Sequence, residues 1–178
     1  MHGVPERDGT RRTVRRFLIV FAVVANLVLV DAVVKELAAG CLKGAAAVSV
    51  IPGLFNLAYV ENRGCAWGLF QGQVWPLAVF GIVALAFLIW RRKSVFGGHE
   101  TGDERRALVF LPRVAEPLLY AGIIGNVIDR LFRGYVIDMF DFHWGVHHFP
   151  CFNVADSLIC ISVGLLLLAS VSNRNAPT

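Results

Sequence analysis

Four carboxylates gather in one stretch of the chain, GIIGNVIDRLFRGYVIDMFDFHWGVHHFPCFNVADS, residues 122–157. They are Asp129, Asp138, Asp141 and Asp156, with Asn126, Asn153 and Arg130 among them. Asp138 follows the apolar triplet Tyr135-Val136-Ile137, and Asp156 opens an apolar run. If the runs flanking this stretch are antiparallel helices, both residues return to the same end of the pair. Two carboxylates in one low-dielectric site cannot both ionise readily. One pKa rises, the pair shares a proton, and a trapped water can be activated with one carboxylate as base and the other as acid. Two other roles stay open at this point: a proton relay, and capping, because a carboxylate suits the helix N-terminus at which Asp156 stands. Asn126, Asp129 and Arg130 share a helical spacing, so Arg130 is expected to neutralise an inward-facing Asp129, a task of folding and orientation.

Other chemistry fits less well. Ser157 has no Lys or His in a recognisable catalytic pattern. Cys41, Cys65, Cys151 and Cys160 show no CxxC spacing, and a disulfide among them is possible but not forced. His143 and His147 have the i, i+4 spacing of zinc ligands, with Asp138 and Asp141 nearby. No HExxH is present, however, and Gly145 and Pro150 disfavour a helix there. No metal and no cofactor are expected, and HWGVHHF reads as an interfacial loop. Trp67, Trp75, Trp90 and Trp144 all fall near predicted membrane boundaries, as an aromatic belt requires.

The elements that must position these groups follow from composition. Of the 178 residues, 56% are hydrophobic and 17% charged, against about 45–50% and about 25% in a soluble domain. Disorder is excluded, and so is a nucleic-acid-binding module with a large solvated surface. Candidate spans are residues 17–36, 74–90, 114–131 and 154–172; the third, interrupted by Glu116, Asp129 and Arg130, is the weakest. Charge placement settles the count. Arg7, Arg11, Arg12, Arg15 and Arg16 precede the first span, and Arg91, Arg92, Lys93, Arg105, Arg106 and Arg113 lie between the second and third. Positive segments stay in the cytoplasm. Four helices put both clusters and both termini there. Residues 1–16 then form a basic cytoplasmic tail, and residues 91–113 a basic cytoplasmic loop whose 94–102 part, with Gly97-Gly98, is expected to be flexible. The net charge of +4 reports orientation, not affinity for nucleic acid.

Residues 35–73 and 132–150 face outward on this reading. Pro52-Gly53 marks a turn, and residues 54–60 are rich in strand formers, so a small β element is expected after helix one. The fold class is an all-α integral membrane protein, one membrane domain over residues 1–178. Asp31 and Lys35, four apart, are expected to pair at the outer end of helix one. Residues 37–41, LAAGC, approach a lipoprotein cleavage box, but the leucine is one residue too far from Cys41, and Asp31, Lys35 and Glu36 intervene; processing is not expected.

The chain resembles lipoprotein signal peptidase, signal peptidase II, from residue 17 to 172. The blocks that carry the resemblance are DAVVK (31–35), NRGCAWG (62–68), GIIGNVIDR (122–130), GYVID (134–138) and FNVADS (152–157). Five blocks in order are specific; any one alone is weak. The resemblance implies an aspartyl endopeptidase of the bacterial inner membrane, multi-pass, with its active site at the extracytoplasmic face. It implies diacylglyceryl-modified prolipoproteins as substrates, cut just before the lipidated cysteine. It implies Asp138 and Asp156 as the catalytic dyad, and Asn62, Gly64, Asn126, Arg130 and Asn153 as residues that bind substrate and orient the dyad. Asp31, Lys35 and Asp129 are left as structural polar residues. Trp67, Cys65 and Ala121-Gly122 depart from the usual pattern. Membrane lipid is an expected partner, and a monomer is expected. Two other classes fit parts of the pattern: a proton-coupled transporter using the Asp cluster as a relay, although no inverted repeat is visible, and a non-catalytic assembly factor.

Overall fold

No glycine or proline falls between Gly9 and Gly40, and that run forms one helix, α1, Glu6–Leu42. At about 1.5 Å per residue it is roughly 55 Å long. It is longer than the expected 17–36, because the arginines before the apolar run and the alanines after it are themselves good helix formers. The structure, a computed structural model, describes residues 6–97 and 106–174. After α1 come strands β1 (Val48–Ile51) and β2 (Phe55–Asn62), a 3-10 turn at Ala66–Gly68 and α2 (Val74–Trp90). They are followed by α3 (Arg92–Phe96), α4 (Arg106–Phe132), β3 (Val136–Trp144), β4 (His147–His148) and α5 (Val154–Arg174).

Two expectations are corrected. The 91–113 segment is not one loop: α3 occupies Arg92–Phe96, and α4 already begins at Arg106 instead of at 114. Hydropathy marks where a helix becomes apolar, not where it starts. Arg105 and the 98–102 part of the expected flexible loop lie outside the described residues. The β structure is also larger than the element expected after α1. Residues from both outward segments form a four-stranded antiparallel sheet of order β1-β2-β3-β4. The second half escaped notice because the 136–144 run mixes charges with aromatics.

Helix α1 (37 residues) and α5 (21 residues) are each long enough to cross a bilayer core, and the most apolar 18-residue stretches within residues 11–42 and 154–172 have mean hydropathies of 2.7 and 2.2. Helix α2 is fully apolar but has 17 residues, about 26 Å. Large apolar side chains such as Phe17, Phe21, Phe80, Phe87, Leu167 and Leu168 point outward, a surface suited to lipid and not to water.

Helix α4 is central, touching α1, α2, α3 and α5. It turns Glu116, Asn126 and Asp129 inward. Arg16 of α1 reaches Glu116 and Lys35 of α1 reaches Asp129, so α1 and α4 run parallel. Against α4, α2 and α5 run antiparallel: Gly81 meets Val127 while Arg92 meets Glu116, and Gly122 meets Ile159 while Ser162 Oγ donates to the Ala115 carbonyl. The chain thus alternates direction along α1, α2, α4 and α5.

Close approach of α4 and α5 depends on glycine. A Cβ on Gly122 would sit 2.5 Å from the Ala155 carbonyl oxygen and 2.6 Å from Ile159 Cγ1. The first obstacle is backbone, which cannot swing aside. Small residues at such crossings are what let membrane helices pack closely. Gly164 lies on the same pair's partner helix with nothing within 4 Å of its would-be Cβ. Gly122→Ala is therefore expected to lower the thermal midpoint of the detergent-solubilised protein by an overpacking cost of about 1–3 kcal/mol, and Gly164→Ala to leave it unchanged. Equal midpoints for the two variants would refute the packing account.

Candidate active site

Asp31 and Lys35, one turn apart on α1, point into the bundle and are 2% and 1% exposed. Lys35 Nζ lies 2.7 Å from Asp31 Oδ2 and 2.9 Å from Asp129 Oδ2, and donates to Asn126 Oδ1 at 3.3 Å. An ammonium has three protons, and all three have acceptors. Asp31 Oδ1 accepts from the Ala155 N–H at 2.9 Å, and Asp129 Oδ2 accepts from the Ile137 N–H at 3.3 Å. Lys35 thereby ties α1 and α4 to the first turn of α5 and the start of β3. Arg133 is the second partner of Asp129, with Nε 3.0 Å from Oδ1. The expected pairing of Asp129 with Arg130 is not made. Arg130, the next residue along the helix, points elsewhere, because i, i+1 side chains diverge by a quarter turn or more.

Asp156 stands in the first turn of α5, and Asn153 is the residue immediately before the helix. The two form a reciprocal cap. Asn153 Oδ1 accepts from the Asp156 N–H at 2.9 Å, and Asp156 Oδ2 accepts from the Asn153 N–H at 3.2 Å. The capping role is real, yet it uses one carboxylate oxygen. The other, Oδ1, accepts from Asn126 Nδ2 at 2.7 Å.

Asp138 is on β3, 1% exposed. Strand alternation turns it away from Ile137 and Met139, which pack on Ala38 of α1. Asn153 Nδ2 donates to Asp138 Oδ1 at 2.7 Å, and Asn62 Nδ2 donates to Oδ2 at 2.9 Å. The β2–β3 register shifts by one residue between Leu57 and Val60. This bulge keeps Asn62 diagonal to Asp138 while Asn56, further back on β2, stays opposite Asp141 and donates to it at 3.1 Å. Without the extra residue Asn62 would face the other side of the sheet.

Asp138 and Asp156 line one cavity of about 370 Å³. Burial first, and then the nearby charge of Asp156, push the Asp138 pKa up to about 7 against the partly offsetting amides of Asn62 and Asn153. The neutral form of Asp138 is therefore favoured in the fold. Its contribution to stability is complete below the ordinary carboxylate pKa of about 4 and is lost as pH rises through about 7.

Of the residues expected to bind substrate, Asn62, Asn126 and Arg130 line this cavity. Arg130 Nη2 donates to the Gly64 carbonyl at 3.0 Å, and the Gly64 N–H donates to Asn62 Oδ1 at 2.9 Å. Gly64 and Asn153 are buried behind the wall, with Asn153 at 0% exposure and its amide committed to its neighbours. Asn153 hydrogen-bonds both carboxylates and does not face the cavity.

Sequence reasoning missed the walls. Phe149, Pro150, Cys151 and Phe152 line the cavity, and a second space of about 490 Å³ adjoins it on the side of Trp67 and His148. Trp67, 69% exposed and at φ 61°, packs edge-on against Phe149 across the mouth, with ring centroids 5.6 Å apart. The aromatic cluster in HHFPCF was the available signal. His143 and His147 sit on β3 and β4, so their helical spacing is not realised. His148 Nδ1 lies 2.7 Å from Asp141 Oδ1. Burial works to raise the Asp141 pKa, but its contacts with His148 and Asn56 outweigh this and hold it below the usual value. Among the described residues no group of three or more His, Cys, Asp and Glu side chains is placed to hold a metal ion. All four cysteines are free thiols, and burial pushes the Cys151 thiol up to about 11.

Replacing Lys35 tests what holds this assembly. Lys35→Met leaves Asp31 and Asp129 buried without their shared cation, at a cost of about 3–5 kcal/mol. The thermal midpoint in detergent is expected to fall accordingly, and Asp31→Asn in the same chain is expected to restore part of it. Additive losses in the double variant would contradict the shared-cation account.

Comparison with known proteins shows the family. Residues 23–172 match the family described as signal peptidase (SPase) II. The lipoprotein signal peptidase of Syntrophotalea carbinolica is 40% identical over 157 residues, 86% of this chain and 91% of its own. That of Fusobacterium nucleatum is 37% identical over 145 residues, 82% of this chain and 81% of its own. A bacterial membrane enzyme solved by the in meso method at 2.3 Å is similar with a TM-score of 0.72 at 29% identity, over 88% of this chain and 90% of its own. The chain belongs to the signal peptidase II family of aspartic peptidases, membrane enzymes of lipoprotein processing.

Proposed function

We propose that this protein removes signal peptides from diacylglyceryl-modified prolipoproteins by cleaving just before the lipidated cysteine, with Asp138 and Asp156 as a catalytic dyad. One observation carries the reading: two carboxylates from different elements line one cavity and share a single asparagine-built support. One ionised carboxylate takes a proton from water as the oxygen attacks the scissile carbonyl carbon. The other, neutral, gives its proton to the carbonyl oxygen. The resulting diol collapses as the C–N bond breaks, and the leaving nitrogen takes a proton from the dyad. A pKa near 7 suits Asp138 to the acid role at neutral pH. Asn62, Asn126 and Arg130 hold the substrate backbone, with Gly64 setting the direction of Arg130 and Asn153 aligning the two carboxylates. One chain supplies every one of these groups, so the proposed chemistry needs no residue from a second copy, and action as a monomer is part of the proposal.

The test is cleavage of one diacylated prolipoprotein by the full-length protein in detergent. Asp138→Asn and Asp156→Asn are each expected to reduce the rate by at least about 10²–10⁴-fold while keeping the fold, since an amide still caps and still fills the site. Wild-type activity is expected to be bell-shaped in pH, falling as pH rises through about 7 with loss of the shared proton. Cleavage at the wild-type rate by either variant, or a rate climbing steadily past pH 8, would sink the proposal.

The same reading puts four helices, α1, α2, α4 and α5, across the bacterial inner membrane, both termini in the cytoplasm and the dyad at the extracytoplasmic face. Alternating helix direction and the basic residues at one end of the bundle support it. A phosphatase that is active only outside the cytoplasm is expected to be inactive when fused after residue 178 and active when inserted at Gly145. The reverse pattern would reject this topology.

A further inference from the structure

The end of the bundle opposite the carboxylates carries a second arrangement of buried polar groups. Glu116 is 0% exposed there, held between two arginines. Arg16 Nη2 donates to Glu116 Oε2 at 3.0 Å, and Arg92 Nε donates to Oε1. Among the described residues, two guanidinium groups against one carboxylate leave an excess positive charge. Two donors are moreover left over. Arg92 Nη2 and the Tyr120 hydroxyl are buried, and neither finds a hydrogen-bond partner among the described residues. Tyr120 is 7% exposed, so its hydroxyl is withdrawn from solvent as well. A buried polar group without a partner is costly, and more so where the surroundings are hydrocarbon.

Both residues line one cavity of about 220 Å³. Beyond Arg92, Glu116 and Tyr120 its walls are apolar, supplied by Val20 and Val24 of α1, Leu85 of α2 and Ile124 of α4. Its rim on α1 and α2 includes Phe17, Phe21 and Ile89, each more than half exposed. The space is therefore open on the lipid-facing side and apolar along its length, and at its basic end stand Arg92 and Tyr120, whose two unpartnered donors are covered in this structure. A polar solute fits the end but not the length; a hydrocarbon fits the length but leaves the donors bare.

We propose that this cavity binds an anionic phospholipid, one acyl chain lying between α1 and α2 and the phosphate accepting from Arg92 and Tyr120. Glu116 fixes the guanidinium groups of Arg16 and Arg92 so that the excess charge faces the headgroup. Basic pockets between membrane helices are known binding places for lipid headgroups. The inference rests on the helices lying in a bilayer and is independent of the proteolytic mechanism.

Native mass spectrometry of the full-length protein in detergent, with thermal midpoints measured in parallel, tests it. The probes are phosphatidylglycerol, phosphatidylcholine and glycerol 3-phosphate. Phosphatidylglycerol is expected to be retained and to raise the midpoint, phosphatidylcholine to bind about tenfold more weakly, and glycerol 3-phosphate not to bind at the same concentration. Tyr120→Phe removes one donor, and Val24→Trp fills the channel; each is expected to weaken phosphatidylglycerol retention about tenfold. Tyr120→Phe should match the wild-type midpoint without lipid, because the lost hydroxyl had no partner. Asp138→Asn is expected to bind the lipid as the wild type does, which separates this site from the dyad cavity. The proposal is overturned if the two lipids bind alike, if glycerol 3-phosphate alone suffices, or if Tyr120→Phe and Val24→Trp leave retention unchanged. Loss of lipid in Asp138→Asn, or its displacement by an equimolar apolar signal-peptide helix, would overturn it too.

Discussion

The ammonium of Lys35 is the contact on which the rest of this structure depends. It is almost fully buried and meets Asp31, Asp129 and Asn126 at once. A charge so placed tolerates no sliding of its partners, because each displaced acceptor would leave an uncompensated ion away from water. Asp31 in turn accepts from the first turn of α5, and Asp129 from the first residues of β3. The start of the helix that bears Asp156 and the strand that bears Asp138 are thus indexed to the same cation. The positions of two candidate catalytic groups, 18 residues apart in sequence, are set from α1, more than a hundred residues earlier.

The sheet completes what the charges begin. A one-residue bulge in β2 changes which face its later residues present, and so brings Asn62 to Asp138 without taking Asn56 from Asp141. The strap from Phe149 to Phe152 then closes the other wall; Phe152 pairs with Phe140 on β3 and stacks on Phe142. The cavity is accordingly polar at the carboxylates and apolar around them, the condition under which one acid stays neutral beside another.

Much of this was legible in the sequence, for identifiable reasons. An Asp and a Lys four apart in an apolar run have few partners other than each other, and Asp31 and Lys35 do meet. The family was legible because five short blocks occur in order. Other features were not. The partner of Asp129 was misread as Arg130, since spacing on one helix says nothing about a lysine arriving from another. The start of α4 was misplaced because a helix can be polar before it is apolar. Strand β3 was hidden because Asp138, Asp141 and His143 break its apolar pattern, and a bulge leaves no compositional mark. Glu116 looked like a flaw in a span; its two arginine partners come from α1 and the α2–α3 junction, a convergence no local pattern reveals.

Asn126 and Asn153 form the bridge between Lys35 and the two carboxylates. A primary amide neither gains nor loses a proton anywhere near neutrality. The bridge is therefore mechanically stiff but protonically inert. It passes on the location fixed by the lysine and blocks any exchange of hydrogen ions with it. An Asp or His in either position would have wired the structural cation into the acid–base chemistry and let each titrate the other. With amides there, the scaffold's charge balance stays constant whatever protons the two carboxylates exchange.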